Sequence, residues 1–327
     1  WAAHHLVNRG RRNDALRLLR EATASTMDPQ PTWEGLVLAV RAQAETLVEA
    51  GPVLARRSFE RLADFAAATG DLPSAAASAV LQPARCFAEG TIAAVQEARD
   101  RLVDVGGVLP RPDIRWWPFA VDAAIALAEG ALDDAAAAIE IARDEGEHLE
   151  VVMARSAALA QNLLRMLHAG ELASLRPILE SSAARSDAGV ATVVTYGIAA
   201  AYDGDQAAAE GVARRLASSG RPLREAGMAW PQVSMLGSDL AFAVRSVELA
   251  RAIWTDLAPY SGTGLVLGGI GYFGSADRSL AMLSATLGDF EPASRLAARA
   301  HREEIRRGAG AWIDLAAVAA ERIKRVG

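Results

Sequence analysis

The residues of this chain best spaced for chemistry are three glycines, Gly269, Gly271 and Gly274. They follow the apolar run Leu265, Val266 and Leu267 and precede a helical pattern. A dinucleotide-binding turn has that order, because its backbone amides must approach a pyrophosphate. Glu291, about 20 residues on, stands where such a fingerprint places a carboxylate for the ribose. A dinucleotide fold also needs a second parallel strand after the helix, whereas the text after Gly288 is another alanine-rich helical run. The glycines therefore read better as a tight connection or as points of close helix packing. An enzyme that uses Gly269 to Gly274 for a nucleotide is kept as the least favoured alternative.

A second set offers π faces. Trp116 and Trp117 open a helix after Pro110 and Pro112, and adjacent indoles on a helix point about 100° apart, so at least one meets a neighbour or a groove. Trp230, Tyr260, Tyr272 and Phe273 pose the same choice between core packing and an aromatic wall for a ligand or partner. These six residues are the candidate ligand or partner surface.

Other chemistries lack their residues. Lys324 is the single lysine among 34 basic side chains, and it lies between Ile323 and Arg325 near the chain end. A Walker A loop and a pyridoxal Schiff base both need a lysine elsewhere. One cysteine, Cys86, allows no internal disulfide and no cysteine-pair zinc site, and reads as a small buried hydrophobe. The histidines His4-His5, His148, His168 and His301 form no H-E-x-x-H scaffold and read as surface or capping groups. No Gly-x-Ser-x-Gly elbow occurs. Paired acids such as Asp133-Asp134 and Glu303-Glu304 read as solvated charge at helix starts or on polar faces. No catalytic, cofactor-binding or metal residue is expected. The net charge of −6 argues against nucleic-acid binding by the segment itself. From Arg295 onward eight basic residues face four acidic ones, a local excess that reads as a solvated helix face. The longest uncharged stretches, 188–202 and 257–276, are broken by Gly, Pro, Ser and Thr, so no membrane span is expected.

The elements that must position these residues are helices. The 327 residues include 72 alanines, the best helix former. Glycines followed by a new helical run occur at Gly10, Gly51, Gly90, Gly130, Gly170, Gly204 and Gly288, with gaps of 41, 39, 40, 40, 34 and 84 residues. Two positions past the glycine stand Ile92, Leu132, Leu172 and Phe290; five past it stand Ala15, Val95, Ala135, Ala209 and Ala293. A small residue there lets two helices of a hairpin approach closely. The period lies near the roughly 34 residues of a tetratricopeptide repeat and in the range of longer helix-pair repeats. Trp33, Leu36, Val37, Val40, Ala44, Leu47 and Val48 carry helical spacing, and prolines stop helices at 28–31, 109–112 and 220–222. The expected fold is an all-α, tetratricopeptide-like helical-hairpin solenoid of about eight helix pairs. It forms one array over residues 1–327, with subregions 1–109, 110–220 and 221–327. Residues 1–7 read as the end of a helix behind a Trp rather than a Met, so flanking domains are expected outside the chain.

Four stretches carry a family resemblance: Leu257-Ala-Pro-Tyr260, Gly268-Gly-Ile-Gly-Tyr-Phe-Gly274, Leu280-Ala-Met-Leu-Ser-Ala-Thr-Leu-Gly-Asp-Phe-Glu-Pro-Ala293, and His301-Arg-Glu-Glu-Ile-Arg-Arg-Gly308-Ala-Gly-Ala-Trp312. Together they resemble the tetratricopeptide-like C-terminal region of large actinobacterial ATPase regulators. In that family a signal-transducing ATPase precedes the helical region, a LuxR-type helix-turn-helix often follows it, and some members carry a nucleotide cyclase. The resemblance implies a cytoplasmic, non-catalytic regulatory and sensor region for transcription. It would bind a small-molecule or peptide effector, or a partner protein, and control ATP-binding and DNA-binding domains outside these residues. No Walker motif, cyclase carboxylate or recognition helix has a matching position here. A free-standing protein-protein interaction scaffold is the alternative.

Overall fold

The computed structural model describes residues 51–109, 111–185, 187–219 and 223–326, with scattered positions between 14 and 42. The expected turn at Gly10, most of the helical run over 33–48, the proline breaks at 28–31 and 220–222, Pro110 and His4-His5 lie outside the described residues. The described chain is all-α apart from one small hairpin. In order it forms α1 (Gly51–Thr69), α2 (Leu72–Glu89), α3 (Ile92–Val108), α4 (Pro112–Glu129), α5 (Leu132–His148), α6 (Ala154–Ala169), α7 (Arg176–Ala184), α8 (Val190–Tyr202), α9 (Gln206–Ser218), α10 (Trp230–Ala243) and α11 (Val247–Leu257). The hairpin strands β1 (Gly264–Leu267) and β2 (Gly271–Ser275) follow, then α12 (Ala276–Thr286), α13 (Phe290–Arg307) and α14 (Gly310–Val326). Short 3-10 turns span Leu172–Leu175, Leu223–Ala229 and Ala258–Tyr260.

Helix boundaries follow local chemistry. Asp71, Thr91, Asp205, Ser246 and Ser275 each cap a helix by accepting from a backbone amide in its first turn. Gly90, Gly130, Gly170, Gly204 and Gly288 all fall at helix junctions. Gly130 closes α4 with φ +87, a left-handed conformation that a side chain would oppose. Five residues past four of these glycines, Val95, Ala135, Ala209 and Ala293 are fully buried. The spacing read from sequence thus marks where consecutive helices touch. The apolar positions two past the glycine diverge: Ile92 and Leu172 are buried, while Phe290 is exposed.

Each helix from α1 to α5 packs on the next in sequence. Alternate helices also touch: α2 meets α4 and α4 meets α6, while α8, α10, α12 and α14 form a second row. In an open repeat array each unit meets only its neighbours; here α14 returns to α4. The amino end of α14 abuts the carboxyl end of α4 so closely that a Cβ at Gly310 would lie 2.6 Å from Glu129 O. This head-to-tail approach sets opposite ends of two helix dipoles together. Between the rows sits the hairpin. β1 touches α2 and α10, and β2 touches α4, α6, α10, α12 and α13.

The hairpin corrects the reading of the glycine-rich segment as a simple connection between helices. Its strands pair antiparallel, with Val266 opposite Tyr272 and Leu267 opposite Gly271. Gly268 and Gly269 make the turn, both at positive φ. Neither strand alternates in polarity because nearly every residue of both is buried, and a strand buried on both faces carries no period-two signal.

Candidate functional site

A network of buried charges surrounds the hairpin, and it begins on α13. Ala293, Ala297 and Ala300 line the buried face of this helix, and the same stripe continues through Glu304 and Arg307. Glu304 is wholly buried. One of its oxygens accepts from the Tyr272 hydroxyl at 2.6 Å, the other from the Ser275 amide at 2.5 Å. Its carboxyl is pushed above the usual range, chiefly by loss of water. Tyr272 is raised well above the normal phenol value, first by burial and then by the Glu304 charge, so its hydroxyl serves as a donor. Arg307 donates to Ala88 O at 2.9 Å and Phe87 O at 3.3 Å, and its guanidinium lies 3.6 Å from a Glu303 carboxylate oxygen. Arg306 donates to Glu89 O at 3.2 Å. The carbonyls at the carboxyl end of α2 thus find their donors more than two hundred residues away. Phe87 lies flat on Tyr272, with ring centroids 5.7 Å apart.

Two further carboxylates complete the network. Asp239 on α10 holds Arg278 on α12 in a bidentate pair, 2.9 and 3.1 Å, with side-chain exposures of 5% and 6%. Asp277, the first acidic residue of α12, accepts from the Ser261 hydroxyl at 2.8 Å, the Gly262 amide at 3.1 Å and two nitrogens of Arg299 at 2.5 and 2.7 Å. Trp312 of α14 stands in the middle. Its ring is 5.9 Å from Tyr272 and 6.0 Å from the Arg278 guanidinium, and His168 meets it edge-on at 5.0 Å. Burial, and secondarily the Arg278 charge, lowers His168 to about 4, so it is neutral at physiological pH. On the other side Gln161 donates to Ala120 O at 2.8 Å and to Ile270 O at 2.9 Å, joining α4, α6 and the hairpin turn.

The glycines of the fingerprint are spent on protein contacts. A Cβ at Gly274 would fall 2.4 Å from the Trp312 ring, one at Gly269 3.2 Å from the Ala84 nitrogen, and one at Gly271 3.1 Å from Phe273. The only strand pair among the described residues is antiparallel, and at the start of α12 the Ala276 amide donates to Thr263 O and the Asp277 amide to Ser275 Oγ. Neither the parallel crossover nor the free helix start of a dinucleotide site occurs at this segment.

Five of the six aromatic residues proposed from sequence lie in the interior. Trp116 is fully buried and donates to Ala142 O at 2.7 Å. Trp117 packs beside it, rings 5.5 Å apart. Trp230 is buried 4.7 Å from the half-buried Tyr260. Tyr272 and Phe273 face the network and the core from β2. The structure gathers Tyr272 alone of the six into the charged cluster. Glu304, read from sequence as solvated, is instead buried, and Arg307, counted on a solvated basic face, is buried with it. Their phase with Ala293, Ala297 and Ala300 is the signal that places them inward. Asp239 and Arg278 have a similar one, since both stand in helices buried on all sides, where a charge requires a partner. His168 does lie in the last turn of α6, as expected for a capping group, yet its Nε2 is buried without a hydrogen-bond partner. Cys86 is buried, as its surroundings suggested.

Among the described residues no group of three or more His, Cys, Asp or Glu is placed to hold a metal ion, and no helix is long and apolar enough to cross a membrane. No protein-family model matches the sequence, and no curated protein matches it at a significant level. The carboxylates of the cluster accept from hydroxyls, amides and guanidinium groups of the protein itself, and so tie the hairpin, α10, α12 and α13 together.

Proposed function

We propose that this chain is a non-catalytic, helical-repeat regulatory region of a multidomain LuxR-type transcriptional regulator in the cytoplasm. It takes up an effector or partner and passes the change to ATPase and DNA-binding modules outside these residues. The observation that carries the repeat reading is the burial of Val95, Ala135, Ala209 and Ala293, each five residues past a junction glycine. Recurrence of one close-packing position at each hairpin is how helical repeats stack. The regulatory reading rests on the resemblance of the four C-terminal stretches. The engagement of the interior carboxylates by the protein's own donors favours a mechanical over a catalytic role.

The test is made on the intact gene product. If an ATPase module is encoded in frame, removing residues 51–326 should leave basal ATP hydrolysis in place and abolish its response to the inducing signal. An unchanged response would sink the reading. A reading frame without ATPase or DNA-binding modules would replace it with the free-standing scaffold.

A further inference from the structure

We infer that residues 83–89, the last turns of α2, form a latch hinged at Pro83 and held shut by Arg306 and Arg307 of α13. Pro83 lies inside the helix. It has no amide hydrogen, so the carbonyl of Ala79 loses its helical donor and the turns beyond are tied less firmly to those before. At the far end, the carbonyls that a helix terminus leaves without internal donors take theirs from Arg306 and Arg307 across 217 to 220 positions of sequence. Hinge and catch both bear on the hairpin. A Cβ at Gly269 would lie 3.3 Å from the Pro83 Cβ, and one at Gly264 would lie 2.8 Å from Phe87 O.

Opening breaks these carbonyl–guanidinium contacts, whose groups regain water, and also lifts the buried Phe87 off the Tyr272 ring, while the break at Pro83 confines the change to the end of α2. The closed state is also incompletely satisfied, since the Arg307 Nε is buried without a hydrogen bond, and such networks carry the cost of their unpaired members. The hairpin itself keeps its anchors on Gln161 and, through Ser275, on Glu304 when the latch opens. Release would free the end of α2, with α1 packed on it, to move against the α13 layer. This device stands whatever effector or partner the region binds, so it does not depend on the regulatory reading above.

Cys86, the single cysteine, is buried within the latch and reports its opening. The experiment follows the reaction of the full chain with a water-soluble aromatic disulfide reagent while circular dichroism tracks global unfolding. In the wild-type protein, labelling should proceed through an opening that depends only shallowly on urea. Arg307→Met should speed labelling about tenfold or more, as loss of hydrogen bonds to a charged group implies, with global stability falling by no more than the same factor and the urea dependence of labelling staying shallow. Arg99→Met, which cuts a pair between α3 and α4, should leave the rate as it is. Labelling no faster in Arg307→Met than in wild type overturns the inference. If Arg307→Met does not fold, the wild-type urea dependence decides alone: a shallow slope supports the latch, and a slope as steep as global unfolding refutes it.

Discussion

On α3 and α5 the charged side chains lie at the surface. Arg99 pairs with Asp122 of α4, and Arg143 with Glu140, each side chain keeping about a third or more of its area in water. Around the hairpin the same residue types are enclosed: Asp239 with Arg278, and Glu304 with Tyr272 and the Ser275 amide. The first region relies on small apolar faces such as Val95, Ala98, Ala135 and Ala142, and its ion pairs are additions to a seam that is already closed. In the second, the charges lie inside the seam, beside Phe273, Leu280 and Trp312. Burying an ion pair carries a desolvation cost that its attraction only partly returns, so its partners matter more for where the elements sit than for net stability.

That contrast can be broken most forcefully at Asp239. Asp239→Ala strands Arg278 in the interior, and should destabilise the protein by about 3–5 kcal/mol in urea unfolding. Asp239→Leu combined with Arg278→Met should recover much of the loss. A cost for Asp239→Ala near that of a surface pair would erase the distinction between the regions.

The next effect is a pH dependence. His168 has its folded value lowered to about 4 from 6.5, so the unfolded chain binds its proton first. The stability it supports is present above about 6.5 and is lost as the pH falls toward 4, a change of roughly 2–3 kcal/mol. Glu304, shifted upward, acts in the opposite sense: its contribution is full below its unfolded value and fades as the pH rises through the folded one. Between pH 7 and 4.5, the wild-type unfolding midpoint should fall relative to that of His168→Phe. A constant difference would show that His168 does not titrate in this way.

The smallest effect is expected at Arg99. Arg99→Ala removes a half-exposed bidentate contact with Asp122, and should cost about 0.2–1 kcal/mol, the ordinary range of surface pairs. A loss as large as that at Asp239 would mean that the helix-pair region also depends on charge for its register.

The helical region was the part most open to reading in advance. Junction glycines at intervals near forty, and a small residue five places later, are local signals, and those among the described residues correspond to a helix boundary or a buried contact. The hairpin escaped because its strands are short and buried on both faces, and because the glycines that allow Trp312 and Pro83 to approach also resemble a phosphate-binding turn. The charged cluster was hidden by composition. An arginine or glutamate on a helix of repeating charge reads as solvated unless its phase is compared with the alanines beside it, as Glu304 and Arg307 show on α13. What no local pattern could supply is the pairing of α13 with α2, which depends on the path of the chain over more than two hundred residues.

Gln161 carries one more consequence. Its amide hydrogens reach Ala120 O and Ile270 O, 41 and 109 positions away, and the second acceptor belongs to a segment made long after the first. On a ribosome that adds about 5–20 residues per second, α4 and α6 must wait several seconds before the strand pair that fills the space beside them exists. The buried faces of Trp117, Leu164 and Phe87 would spend that interval facing solvent or a chaperone. The centre of this molecule is therefore among the last parts to be completed during its birth, although every later element leans on it.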